Sequence, residues 1–237
     1  MINDPKEYSE IIRILSKTLL FNKIDAPTFK IILDHFSVKI LPKKSVIFSD
    51  EINKYLYIII EGRAKLSCVN EETGREYIID LLEIGDIFNA VSFFDNNDEI
   101  FFIETIDDLK VLQAELSLAK NFLDINPTLN QYLLPYFGRM MRTIENNSSN
   151  LALYDTMTRL ARLLLKYIHT EEAGKSQLIP IRLIADLPHE TIAQMIGTAR
   201  KIVNINLQHL KKEHIIAVRN GKLYVTNIQK LILKAKI

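Results

Sequence analysis

Arg200, Asn204 and Gln208 stand four residues apart near the C-terminus, with Lys201 beside the first. Residues at that spacing share one face of a helix. Arg can pair with both acceptors of a guanine edge, and Asn with the donor and acceptor of an adenine edge. The chemistry such a row can do is base reading, not bond making. Thr198 and Arg219, with His189, Lys211, Lys212 and Lys222, are candidate partners for backbone phosphates. For Lys212 and Lys222 an ordinary solvated charge is an equal reading.

Elements must hold that face. Val203, Leu207 and Leu210 fall on the opposite side of the same helix. Upstream, Ile192, Ala193 and Ile196 give a short helix an apolar side, and Gly197 supplies the turn between the two. Downstream, Asn220-Gly221 separates IIAV from KLYV, a two-residue hairpin signal. Helix, turn, helix and hairpin make a winged helix-turn-helix, a DNA-reading module. Charge agrees with that placement. Residues 1–152 carry 16 Lys+Arg against 23 Asp+Glu, a net of −7, while residues 153–237 carry 14 against 6, a net of +8. A basic segment binds nucleic acid by displacing counterions.

No catalytic or metal constellation competes. The glycines are scattered singly, no nucleophile elbow is present, and His169, His189, His209 and His214 lack zinc-site spacing. The single Cys68 excludes an intrachain disulfide framework and suits a reducing compartment. No apolar run is long enough for a bilayer span and no signal-peptide pattern opens the chain, so a cytoplasmic location is expected.

The rest of the chain is of another kind. Residues 7–36 read as short amphipathic helices. From Val38 to about Ala114, β-rich runs (VKIL, SVIF, YLYIII, AKLSCV, EYIIDL, FFIETI and LKVLQA) alternate with turns at Pro42-Lys43, Glu61-Gly62, Thr73-Gly74, Gly85-Asp86 and Asn96-Asn97. That spacing predicts a sandwich or roll. Residues 115–124 read as a short helix, and Asn126-Pro127 opens a long one. Along it Leu133, Phe137, Met140, Ile144, Asn147 and Leu151 alternate steps of four and three. This is either the seam of a dimer or one face of a helix packed on its own roll. Pro135 should kink or interrupt that helix. The polar run 146–150 reads as a hinge, 156–169 as a further helix and 171–176 as a loop. The expected organisation is α+β. Residues 1–126 form a β-roll sensing domain, 127–152 a dimerisation helix and hinge, and 153–237 the winged-helix DNA-binding domain.

In this order, GRAKLSCVNEETGREYIIDLLEIGDIF, INPTLNQYLL and IAQMIGTARKIVNINLQHL resemble the roll, the dimerisation helix and the helix-turn-helix of the Crp/Fnr superfamily of bacterial transcription regulators. The resemblance covers nearly the whole chain. It implies a cyclic-nucleotide-binding-like roll and a homodimer on a near-palindromic DNA site, with RNA polymerase as a partner and allosteric control by an effector. It also exposes departures. Where cyclic-nucleotide members carry a ribose-binding Glu and a phosphate-binding Arg-Ser pair, this chain has Ile87-Phe88-Asn89-Ala90-Val91 and Ile100-Phe101. Ile144 and Glu145 stand at the purine-contacting helix positions. A buried phosphate without a cation is costly. Cyclic AMP bound in the familiar mode is therefore not expected.

The corresponding pocket, Phe88, Asn89, Ala90, Ile100, Phe101 and Ile144, is part of a mostly apolar stretch that also holds Val91, Phe93, Phe94, Phe102 and Ile103. It is either a site for an apolar or planar effector, such as haem or a diatomic gas sensed through haem, or a filled core in a constitutive regulator. Haem would need an axial ligand from His35, Cys68, Met140 or Met141. One cysteine is too few for an iron–sulfur cluster. A ligand-binding or interaction protein that has lost DNA is the remaining alternative. In the reading helix Arg200 is kept. Lys201 replaces the family's Glu, Ile205 its second Arg, Asn206 an apolar residue and Ala199 a capping Ser, with Thr198 as substitute cap. These changes imply a different half-site.

Overall fold

The computed structural model describes residues 4–48, 51, 53–88, 91, 101–125, 130–168 and 178–237. The chain divides into two compact units, with residues 1–75 and 79–143 in one and residues 76–78 and 144–237 in the other.

The first unit opens with α1 (Pro5–Leu15) and α2 (Ala26–Leu33), started by Asp4 and Asp25. Each carboxylate accepts a first-turn amide, with Pro5 or Pro27 in the first turn behind it. Eight strands follow: β1 (Ser37–Leu41), β2 (Val46–Ile47), β3 (Tyr55–Glu61), β4 (Ala64–Val69), β5 (Glu76–Leu82), β6 (Ile87–Phe88), β7 (Phe102–Thr105) and β8 (Leu109–Glu115). They form two four-stranded sheets, ordered β1-β8-β3-β6 and β2-β7-β4-β5. Gly62, Gly74 and Gly85 all take positive φ at turns. Gly62 has a second constraint, because a Cβ there would sit 2.4 Å from the Asp108 carbonyl oxygen.

β3 explains its own unbroken apolar run. Tyr57 and Ile59 point between the sheets, among Ile47, Leu82, Phe88, Ile103 and Val111. Leu56, Ile58 and Ile60 point the other way, into a cluster with α1, α2, α3 (Leu116–Ile125) and the start of α4 (Asn130–Leu153). A strand buried on both faces does not alternate in polarity. The two-residue β6 was not legible as a strand because it is too short to show a period.

α4 is continuous through the polar run 146–150, so the chain's non-helical break falls at Tyr154-Asp155 instead. Pro135 lies within it. The second unit continues with α5 (Thr156–Lys166), β9 (Ile179–Pro180), α6 (His189–Met195), α7 (Arg200–Lys212), β10 (Ile216–Arg219), β11 (Lys222–Val225) and α8 (Ile228–Ala235). The predicted helix over 156–169 stops at Lys166, and the 171–176 loop lies outside the described residues. Leu160, Leu164, Ile192, Val203, Leu210, Val225 and Leu231 make a solvent-free core. α8 is a helix the sequence reading missed. Its signal was there: Asn227 accepts the Lys230 amide as cap, and Ile228, Leu231, Ile232 and Ala235 recur at helical steps. No helix among the described residues is long and apolar enough to cross a membrane.

Candidate nucleic-acid interface

α6 and α7 are joined by a turn in which Gly197 takes φ +63. A Cβ at that position would come within 2.7 Å of the Leu151 side chain at the end of α4. The Thr198 amide bonds the Ala193 carbonyl at 2.9 Å and closes the turn. Val203, Leu207 and Leu210 anchor α7 inward, as the spacing predicted.

The base-reading candidates lie on the other side. Arg200, Lys201 and Gln208 are exposed, and Asn204 and Thr198 are half-buried. Asn204 Oδ1 accepts a hydrogen bond from His189 Nδ1, on the first residue of α6. That link was not anticipated, since residues 15 apart share no period. Ile205 stands 44% exposed, on the solvent side rather than in the core. Asn206, the polar residue at an apolar position, is buried and donates from Nδ2 to Thr156 Oγ1 at 3.3 Å. One of its amide hydrogens is thereby paired. The expected cap does not form. Ala199 occupies the N-cap position with no side-chain hydrogen bond, because Thr198 lies one residue too early.

The wing follows the hairpin signal. Asn220 and Gly221 both take positive φ, at 49 and 74, as a type I′ turn requires. Arg219 and Lys222 pair across the strand ends beside it, both exposed. Lys212 is exposed and Lys211 half-buried. Behind the module, Arg162 ties α5 to both chain ends of the unit. Its guanidinium donates to the Ala235 carbonyl at 2.8 Å, to Asn150 Oδ1 at 3.1 Å and to the Lys236 carbonyl at 3.3 Å. It also stacks 3.8 Å over the Tyr154 ring.

The roll unit splits the candidate effector pocket. Phe88 is 3% exposed and stacks on Tyr57, with ring centroids 4.4 Å apart. Ile103 is buried in the same inter-sheet cluster, Phe101 and Phe102 are half-buried, and Val91 is exposed, outside that cluster. Ile144 on α4 is 50% exposed. Asn89, Ala90, Phe93, Phe94 and Ile100 lie outside the described residues. The Tyr57 hydroxyl and Gln113 Oε1 are buried with no hydrogen-bond partner among the described residues, on residues paired across β3 and β8.

Beside Phe88, α4 is clipped to β6. The Ile87 amide donates to the Tyr136 hydroxyl at 2.8 Å, and that hydroxyl donates to the Ile87 carbonyl at 3.1 Å. Asp86 accepts the Glu83 amide at 2.9 Å and meets Arg139 at 3.4 Å. Burial pushes its carboxyl up to about 6, against the lowering pull of that amide and of Arg139.

The haem-ligand candidates do not converge. His35 is exposed and its Nδ1 bonds the Ile31 carbonyl at 2.8 Å. Met140 packs on the helical side of the β1-β8-β3-β6 sheet. Cys68 lies on a strand of the other sheet. A sheet therefore separates the sulfurs of Cys68 and Met140, and the described residues do not fit a haem between these donors.

The sequence-predicted seam also divides. Leu133, Phe137 and Met140 pack against the roll's helical cluster. Asn147 is half-buried and Leu151 exposed. The most exposed apolar residues of α4's first half lie one position on, at Leu134 (69%) and Met141 (63%), with Gly138 open between them.

A model of the Crp-like helix-turn-helix domain matches residues 158–233, and one of the cyclic nucleotide-binding domain matches residues 38–126. The CRP-like cAMP-activated global transcriptional regulator of Mycobacterium tuberculosis is 24% identical over 227 residues, covering 94% of this chain and 99% of that one. The cAMP-activated global transcriptional regulator CRP of Pasteurella multocida is 26% identical over 201 residues, covering 84% and 94%. The structure of a CooA mutant from Carboxydothermus hydrogenoformans has the same fold, with a TM-score of 0.73 at 23% identity over 95% of this chain and 99% of that one. Roll, long helix and winged helix-turn-helix thus agree in order, geometry and sequence with one family, and the chain belongs to the Crp/Fnr family of DNA-binding transcription regulators.

Proposed function

We propose that the protein works as a homodimer that reads a near-palindromic DNA site and is gated by an effector other than a cyclic nucleotide. The observation that carries the DNA half is the outer face of α7, where Arg200, Lys201 and Gln208 are exposed over a solvent-free base of Val203, Leu207 and Leu210. Arg200, Asn204 and Gln208 read bases, and Thr198 and the wing's Arg219 hold phosphates. The dimer forms along α4. Leu134, Gly138, Met141 and Ile144 offer the partner an exposed stripe at helical steps of four, three and three, and the glycine admits a close approach.

Two relatives are named as cAMP-activated. This chain lacks the family's partners for the ribose and the cyclic phosphate, with Ile87-Phe88-Asn89-Ala90-Val91 and Ile100-Phe101 in their place. The Tyr57 hydroxyl and Gln113 Oε1, without a partner among the described residues, instead suit an uncharged effector with a hydrogen-bonding group. Effector binding beside Phe88 shifts α4 through the Tyr136 clip and thereby changes DNA affinity. RNA polymerase is the downstream partner. A second reading has its own observation: the Tyr57–Phe88 stack fills the interior, as in a constitutive regulator with no effector.

The test is a titration of duplexes selected from a random pool, with sedimentation to give the stoichiometry. It is repeated with cyclic AMP, with haem and with a small-molecule extract. Two protomers per palindrome, no response to cyclic AMP and a response to an extract component uphold the proposal. Equal affinity under every condition favours the constitutive reading, a haem response restores haem as effector, and a monomer on a single half-site overturns the dimer.

A further inference from the structure

A free asparagine side chain pairs with adenine through both ends of its amide: Nδ2 donates to N7 and Oδ1 accepts from N6. Asn204 is not free. It projects from the second turn of α7, four residues after Arg200 on the same face. One of the two lone pairs of its Oδ1 accepts from the Nδ1 of His189, which comes from a different helix and is itself exposed. An amide oxygen can only accept, so the ring nitrogen carries the proton and the carbonyl end is held toward His189. The opposite end, the Nδ2 amino group, is left for a base. That group only donates.

We propose that His189 is a positioning residue that sets base specificity through Asn204, turning an adenine reader into a reader of acceptor edges. Guanine is the base that fits best, with O6 and N7 side by side as acceptors in the major groove, and thymine O4 is the next. Adenine is disfavoured because Oδ1 would have to accept from its N6 amino group while the carbonyl stays turned toward the His189 ring. The inference rests on the reading of α7 as the groove-bound helix.

The experiment selects half-sites from a fully randomised duplex with four forms of the chain: wild type, Asn204→Ala, His189→Ala and His189→Asn. Asn204→Ala locates the position, as the one where base preference flattens. At that position the wild type selects guanine or thymine over adenine. His189→Ala frees Oδ1 and moves the preference toward adenine by about fivefold or more, the lower end of a bidentate contact. His189→Asn keeps a donor at the δ position, where Nδ1 stands, and retains the wild-type preference. A loss of packing would lower binding to every sequence alike, so a shift at one position separates positioning from mere structure. Adenine preference in the wild type overturns the proposal. So does an unchanged preference in His189→Ala, or no position flattened by Asn204→Ala. Failure of the wild type to select any sequence overturns the DNA-reading assignment itself, a result distinct from these.

Discussion

Two aspartates show how differently the two units handle charge. Asp86, in the roll unit, is largely buried where β6 meets α4, and its carboxyl is pushed up to about 6. Asp155, in the winged-helix unit, is more than half exposed. There it caps α5 by accepting the Thr158 amide at 2.8 Å, meets Lys236 at 3.1 Å, and is held down to about 2, chiefly by the Thr158 amide. The same contrast extends to their surroundings. The roll keeps polar groups inside: the Tyr136–Ile87 clip, the buried Tyr57 hydroxyl, and Lys65, which is ion-paired with the half-buried Glu104. The winged unit keeps a mostly apolar centre, with Asn206 and Thr158 as buried polar exceptions, and places most of its charge at its rim. A buried polar arrangement is sensitive to small shifts, because each group depends on its partner's position. A rigid apolar module carries a reading face without changing it. The difference suits a sensing unit and an output unit.

The strongest test of this contrast is Phe88→Ala. If the Tyr57–Phe88 stack is core, the roll unit loses about 3–5 kcal/mol, the usual cost of removing a buried Phe. The winged unit keeps its stability. Urea unfolding followed residue by residue by NMR separates the two. A loss well under 1 kcal/mol in the roll would mean that the ring lines an open site rather than filling the interior.

Arg162→Ala probes the rim of the winged unit. It removes three hydrogen bonds and the stack on Tyr154, leaving the Ala235 carbonyl without this partner. A destabilisation of about 2 kcal/mol is expected, within the range for buried groups that lose a charged partner. Hydrogen exchange should speed first in α8 and at the junction of α4 and α5. An unchanged exchange pattern would show that α8 is held by its apolar face alone.

Arg200→Ala should leave both units as stable as before, since the side chain is exposed. DNA affinity should fall by about 1–3 kcal/mol with relaxed preference at one base pair. A uniform loss across all sequences would reassign Arg200 to a phosphate contact.

The winged unit was the more legible of the two, for a physical reason. Its turn needs a positive φ at Gly197 and at Asn220-Gly221, and those residues are the chain's plainest signals. Its reading helix needs one apolar and one polar face, so Val203, Leu207 and Leu210 could be separated from Arg200 and Gln208 by period alone. The His189–Asn204 bond, the Asn206–Thr156 bond and the Arg162 hub were invisible, because they join residues whose distance in sequence says nothing of their distance in space. In the roll, most strands were legible from their runs and turns. The face of α4 was not. Leu133 and Leu134 are neighbours in sequence, yet one packs on the roll and the other is exposed. A helix that serves both a roll and an outer stripe is apolar on two sides, and spacing alone cannot rank them.

The two aspartates make opposite pH predictions. The folded-state value of Asp86, about 6, lies above the ordinary 3.8, so the folded roll holds that proton more tightly than the unfolded chain. Its contribution is fully present below about pH 4 and is lost as pH rises through 6. Asp155 is the reverse. Its folded value, about 2, lies below 3.8, so its contribution is present above about pH 4 and is lost as pH falls through 2. Between pH 4 and 7 the Asp86 share of roll stability should therefore decline with rising pH, while the Asp155 share of winged-unit stability stays flat. The controls are Asp86→Asn and Asp155→Asn, because other carboxylates titrate over the same range. The difference between wild type and each variant, read as urea midpoints at a series of pH values, isolates each group. A wild-type roll that gains stability over Asp86→Asn as pH rises from 4 to 7 would mean that Arg139, not burial, governs Asp86. The polar contact of α4 with the roll would then be an ordinary ion pair, and the contrast between the two units would lose its clearest instance.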